Sequence, residues 1–117
     1  MRILVIDDEA QLLRTVQLGW PDPEDEILIA ASFAEAKLHI FSAKMTDIDC
    51  VVVDLRLPDA SGSHILSEIK QISATPVIML SAWGDSQFRA DTLNRGADDY
   101  VMKPISVVEL HARVNRL

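Results

Sequence analysis

The chain has 117 residues, of which 49% are hydrophobic and 25% charged, with a formal net charge of −7. That size suits one domain, 1–117, rather than two, and the acidity argues against direct binding of nucleic acid or of an anionic membrane. The single cysteine, Cys50, excludes an internal disulfide and a cysteine-based zinc site, and no apolar run approaches the ~20 residues of a membrane-spanning helix.

Ile3-Leu4-Val5-Ile6 reads as a first buried strand. It runs at once into Asp7, Asp8 and Glu9, which is no signal-peptide pattern, so a cytoplasmic location is expected. Leu12, Leu13 and Val16 then mark one face of a helix that stops before Pro21. The acids of residues 22–26 read as a solvated loop. Ile27–Ala30 is a second strand, and Ser32 with Glu35 forms a capping box, Glu35 reaching back to the amide of Ser32. Ala34, Leu38, Phe41 and Met45 follow at the spacing of a core-facing stripe.

Cys50-Val51-Val52-Val53 is an unbroken apolar run ending in Asp54, the signature of a strand covered on both faces. Leu55–Gly62 is a loop punctuated by Pro58 and Gly62, and Ile65, Leu66, Ile69 and Ile72 line a third helix. Pro76–Leu80 is a fourth strand, ending in Ser81. Asp85 or Ser86 is placed to cap a fourth helix that ends at Gly96, a left-handed C-cap. Its thin apolar face, Phe88 and Leu93, makes it the least firmly held of the helices. Asp99–Met102 is a fifth strand ending in Lys103-Pro104, with Met79 and Met102 expected in the core. Ser106 and Glu109 form a second capping box, and Val107, Leu110, Val114 and Leu117 stripe the last helix. His39, His64 and His111 share no ligand spacing and read as surface or packing residues.

Strand and helix alternate five times, which implies an α/β fold with parallel strands and right-handed crossovers. In such a sheet the C-terminal strand ends share one edge, where ligands bind. Asp7, Asp8, Asp54, Ser81 and Lys103 all stand at strand ends, so they converge on one pocket. Two carboxylates ~5 Å apart repel by roughly 3 kcal/mol at an effective dielectric of ~20. A hard divalent cation relieves that repulsion, and carboxylates with water suit Mg²⁺. A metal, a lysine and an in-line carboxylate are the parts that phosphoryl transfer to a protein nucleophile needs.

These pieces resemble the receiver domain of two-component response regulators over essentially the full chain. The matching residues are Asp7-Asp8-Glu9, Asp54 with Pro58 and Gly62, Pro76 through Ser81-Ala82, Gly96 through Tyr100, and Lys103-Pro104. The resemblance implies a doubly wound, five-stranded parallel sheet in order 2-1-3-4-5, flavodoxin-like, and a cis bond before Pro104. It implies that Asp54 takes a phosphoryl group from the phosphohistidine of a sensor histidine kinase. Mg²⁺ or Mn²⁺ would be held by Asp7, Asp8, Asp54 and the backbone carbonyl of Arg56. Ser81, Ala82 and Lys103 would bind the phosphoryl oxygens. Ser81 and Tyr100 would be the switch pair, with the ring turning inward as the hydroxyl swings to the phosphoryl group. Apart from self-phosphorylation by a phosphodonor and slow loss of phosphate, no enzymatic activity is implied.

Gly96–Tyr100 and Glu109–Arg113 look like receivers of the OmpR/PhoB type. That similarity implies a homodimer through the fourth helix, fifth strand and fifth helix, with Arg89, Asp98, Asp99, Glu109, Arg113 and Arg116 on the face. Arg89–Glu109 and Asp99–Arg113 pairs would form between subunits, and DNA would be bound through an output domain absent from this chain. Ser61 departs from the Asp that this loop more often carries, and only a loop effect is expected. Trp83 and Arg56 are expected to flank the phosphoacceptor and slow attack by water. A stand-alone adaptor receiver is a second reading. A phosphatase with an aspartyl nucleophile is a third, weakened because Arg56 stands where its second aspartate belongs.

Overall fold

A strand with neighbours on both edges and helices on both faces has no side chain in water, so every position can be apolar. That describes β3 (Cys50–Asp54) and β4 (Val77–Ser81), which are buried throughout. The computed structural model describes residues 1–42, 45, 47–82 and 86–117. Around these two strands it sets β1 (Arg2–Ile6), β2 (Glu26–Ala30) and β5 (Asp99–Met102), all parallel, in the order β2-β1-β3-β4-β5. The helices are α1 (Ala10–Gly19), α2 (Phe33–Ile40), α3 (Gly62–Ile72), α4 (Arg89–Asn94) and α5 (Val107–Asn115). This is the doubly wound, flavodoxin-like sheet that the alternation and the resemblance imply.

Side chains alternate across the strands and so divide into two cores. Leu4, Ile6, Val51, Val53, Val77 and Met79 face α2 and α3, with Phe33, Ile40, Ile65 and Ile69 packed on them. Ile3, Val5, Val52, Ile78, Leu80 and Val101 face α1 and α5, with Leu13, Val16, Leu110 and Val114. At ~25 cal/mol per Å² of apolar area removed from water, these cores dominate the stabilising side of folding.

Several expectations are corrected. The core stripe of α2 is Phe33, Ala36 and Ile40, not Ala34, Leu38 and Phe41; Leu38 is 75% and Phe41 49% exposed, while Met45 is buried. Both sets satisfy a helical period, and the rotation is settled by the cap. Ser32 Oγ accepts from Glu35 N at 3.1 Å, and Asp59 in the β3–α3 loop accepts from the amides of Phe33 and Ala34, both at 2.9 Å. Glu35 reaches back to the amide of Ala31, one residue beyond Ser32. In the second box Ser106 accepts from Glu109 N as expected, while the Glu109 carboxylate turns to Arg113. Met102 is 36% exposed because β5 is an edge strand near its end. Ile72 and Leu117, at the ends of their stripes, are also exposed. Asp25 is not solvated: its carboxylate, 4% exposed, holds the Met1 ammonium at 2.6 Å and Trp20 Nε1 at 2.9 Å. Ser61 has a defined task, since its Oγ caps α3 by accepting from His64 N.

The fourth helix is short. Asp85 lies outside the described residues, and a single 3-10 turn, Ser86–Phe88, leads into α4 without a side-chain cap. Phe88 and Leu93, its expected anchors, are both more than a third exposed, and Thr92 alone of its six residues is buried. Gly96 ends the segment at φ +106°, as a left-handed cap requires.

Burial pushes the Cys50 thiol up to about 12, so an alkylating reagent at about pH 8 should label it only after denaturant unfolds the chain. Native labelling at the rate of a free thiol would contradict this. The amides of Phe33 and then Ala34 hold the Asp59 carboxyl below its ordinary 3.8. A lowered folded-state value stabilises the fold above the unfolded one and is lost as pH falls through the folded one. The thermal midpoint of Asp59→Ala should therefore trail wild type above about pH 4 and converge with it in stronger acid.

Candidate functional site

The parallel register decides what meets at the C-terminal edge of the sheet. Asp54 pairs with Leu80, and Ser81 with Met102, so the ends of β3, β4 and β5 lie side by side. Asp7 follows β1, whose Ile6 pairs with Val53, the residue before Asp54. Asp7, Asp8 and Asp54 each offer a carboxylate oxygen, and these oxygens lie within 4.8 Å of one another. Asp7 and Asp54 are buried, whereas Asp8 is exposed at the rim.

Lys103 reaches across the pocket from the end of β5. Its Nζ is 2.7 Å from Asp7 Oδ2, 2.9 Å from Glu9 Oε2 and 3.4 Å from Asp54 Oδ2. Burial works against its charge, but the bonds to Asp7 and Glu9 and the fields of Asp7 and Asp54 outweigh that, and its affinity for the proton is raised. Asp54 is shifted upward, first by burial and then by the charge of Asp7, against the pull of Lys103. Three carboxylates thus surround one ammonium, with Asp8 beside two of them, and the pocket still favours added positive charge. Three oxygen donors at this separation, one of them open to solvent, fit a hard divalent cation that keeps several waters.

The walls are set by the backbone. Asp7 Oδ1 accepts from Glu9 N at 2.9 Å, which turns the chain sharply after β1. The Lys103–Pro104 bond is cis, as the resemblance implies, and Lys103 N donates to Ser81 O at 2.7 Å. The β3–α3 loop doubles back so tightly that a Cβ on Gly62 would lie 2.3 Å from the carbonyl oxygen of Asp54. Ser81 is fully buried, and its Oγ has no hydrogen-bond partner among the described residues. A buried hydroxyl left unpaired carries a desolvation cost that an acceptor in the pocket would relieve. A groove of about 610 Å³ between α1 and the start of α5 opens beside Glu9, Ala82 and Lys103.

The model of the response regulator receiver domain matches residues 3–115. This chain belongs to that family. Among curated relatives, the transcriptional regulatory protein KdpE of Mycobacterium tuberculosis is 38% identical over 112 residues, covering 96% of this chain and 48% of KdpE. A receiver domain protein from Clostridium thermocellum superposes with a TM-score of 0.88 at 35% identity, covering 98% of this chain and 91% of that one. DrrB of Thermotoga maritima, an OmpR/PhoB homologue, superposes with a TM-score of 0.82 at 33% identity, covering 98% and 51%. The chain spans about half the length of the curated relatives it matches. It is a receiver domain of two-component response regulators, a domain typically phosphorylated on aspartate by a kinase, and not an enzyme of the ordinary kind. Receiver domains bind Mg²⁺ at an acidic pocket. No helix among the described residues is long and apolar enough to cross a membrane.

The receiver's other expected residues are placed as follows. Tyr100 is buried and belongs to the same core as Val77 and Met79. Trp83 lies outside the described residues. The Arg56 amide donates to Asp54 Oδ1 at 3.4 Å, and its guanidinium lies over the Phe88 ring. On the α4–β5–α5 face the charges pair within the chain. Arg113 meets Asp99 at 3.0 Å and Glu109 at 3.1 Å, and Arg116 meets Asp99 at 3.5 Å. Asp98 holds Lys70 and the amide of Val77, while Arg89 is exposed. His111 packs edge-on against Trp20 and shares a potential ligand cluster with Asp22 and Asp25. Asp25 there is committed to Met1 and Trp20, Asp22 to the amide of Glu24, and His111 to Asn115.

Two residues of the site escaped the sequence reading although both lie in its motifs. Glu9 was given no role; its place one step past the strand-end acids was the available signal. Gly62 read as punctuation, and its need to lack a Cβ is visible only once the loop is closed. Gly62→Ala would force the loop off Asp54 and should cost about 2 kcal/mol or more in urea unfolding. Wild-type stability in that variant would show that the loop can open without penalty.

Proposed function

We propose that Asp54 of this receiver accepts a phosphoryl group from the phosphohistidine of a sensor histidine kinase. The observation that carries the reading is the Lys103 ammonium 3.4 Å from a buried Asp54 carboxylate, with Asp7 and Asp8 beside it. An Asp54 oxygen attacks phosphorus, the N–P bond of the donor breaks, and the imidazole leaves with the bonding pair. Lys103 then turns from Asp54 to the new phosphoryl oxygens. The buried hydroxyl of Ser81 and the amide of Ala82 donate to others. Asp7, Asp8, Asp54 and the Arg56 carbonyl are the residues that would hold Mg²⁺ or Mn²⁺, which when bound supplies positive charge to the phosphoryl oxygens. Small phosphodonors serve as well as the kinase, and the phosphoryl group is lost slowly by hydrolysis.

The response is a shift of population in α4 and around Ser81 and Tyr100. It remodels the α4–β5–α5 face, through which two receivers pair, with Arg89, Asp98, Asp99, Glu109, Arg113 and Arg116 available to fix the register. In the whole protein that face controls a DNA-binding output domain, as the transcriptional regulators among its relatives suggest. The cytoplasm is the compartment that suits this work.

Incubation with acetyl phosphate and Mg²⁺ should add one phosphoryl mass to the wild-type chain and none to Asp54→Asn. Labelling of Asp54→Asn at the wild-type level would overturn the assignment. Lys103→Gln should slow labelling roughly 100-fold, the usual effect of removing one preorganised charge donor.

A further inference from the structure

We propose that Arg56 and Phe88 form a clasp that ties the start of α4 to the phosphoacceptor loop. The Arg56 guanidinium lies over the Phe88 ring, 5.8 Å from its centroid, within the range of a cation–π interaction. Both residues line a cleft of about 400 Å³ between the β3–α3 loop and α4, together with Leu55, Ala60, Ser63 and Asp91. The same residue therefore touches both ends of the path. The Arg56 amide donates to Asp54 Oδ1, while the Arg56 side chain rests on the residue that leads into α4.

The weakness of the other anchors on α4 gives this contact its weight. The helix has six residues, no side-chain cap, and Thr92 as its one buried residue. The Thr92 hydroxyl bonds to the carbonyls of Phe88 and Arg89, within its own turn. The Arg95–Asp91 pair also lies within the α4 segment. A tether on so lightly held a helix sets its position with little energy. Displacement of the backbone at Asp54–Arg56 is carried to α4 through the guanidinium. Arg56 is a positioning residue here, acting on α4 through Phe88.

The transmission step rests on the phosphoacceptor reading, whereas the clasp itself does not. Hydrogen exchange of the full chain, read over residues 86–96, separates the two. Without a phosphoryl mimic, Phe88→Leu and Arg56→Gln should raise α4 exchange about two- to fivefold, the worth of one exposed cation–π contact. Phe88→Tyr and Arg56→Lys should keep the wild-type rate, and the double variant Arg56→Gln/Phe88→Leu should exchange no faster than either single one. With Mg²⁺ and beryllofluoride, wild-type α4 should change its exchange, and Phe88→Leu should show less than about half of that change. Additive single effects, conservative variants as fast as the disruptive ones, or an undiminished α4 response in Phe88→Leu would each overturn the clasp. Failure of beryllofluoride to protect the Asp54 loop of the wild type would count against the phosphoacceptor reading. The exchange rates without the mimic would still decide the clasp.

Discussion

One ammonium stands among three carboxylates in this receiver, and the arrangement of the active edge depends on it. Lys103 lies within 3.4 Å of Asp7, Glu9 and Asp54, which arrive from β1 and β3 while it arrives from β5. Without that cation, two buried carboxylates a few ångströms apart would repel each other with nothing to offset it. With it, Asp7 and Asp54 can share the pocket, although burial and the charge of Asp7 still leave Asp54 shifted upward. The ion pairs have a cost as well as a gain, because each charge has been taken out of water.

The loop that carries Asp54 is held on several sides. Gly62 lets it close on the carbonyl of Asp54, Ser61 caps α3, and Asp59 caps α2 from 25 and 26 residues away in sequence. The β3–α3 loop is thus fastened to two helices as well as to its own strand. On the other side of the pocket α4 has one buried residue and exposed apolar ones. Local stability is therefore uneven around one site: firm in the loop that carries Asp54, and weak at α4.

The charged α4–β5–α5 face shows how little a list of residues says about pairing. Arg113, expected to reach a second subunit, meets Asp99 and Glu109 of its own chain. The exposed Arg113–Glu109 pair contributes only ~0–1 kcal/mol, whereas the Asp99 carboxylate in the Arg113–Asp99 pair is largely covered.

The buried strands and the five strand-end side chains were legible along the chain, because burial on both faces leaves unbroken apolar runs and four of the five runs end in a polar residue, whereas the strand order came from the family resemblance. Side-chain direction was not legible where two apolar sets shared one helical period. Only the caps from Ser32 and Asp59, the latter distant in sequence, turned Phe33 rather than Leu38 toward the sheet. The same limit hid Glu9, Gly62 and the partners of Asp25. Each depends on a partner brought near by the closing of the sheet, and a linear pattern holds no information on what lies across a gap. Sequence alone determined which chemistry the edge could hold; tertiary structure decided which charges touch, since distance sets their energy and only the folded chain sets distance.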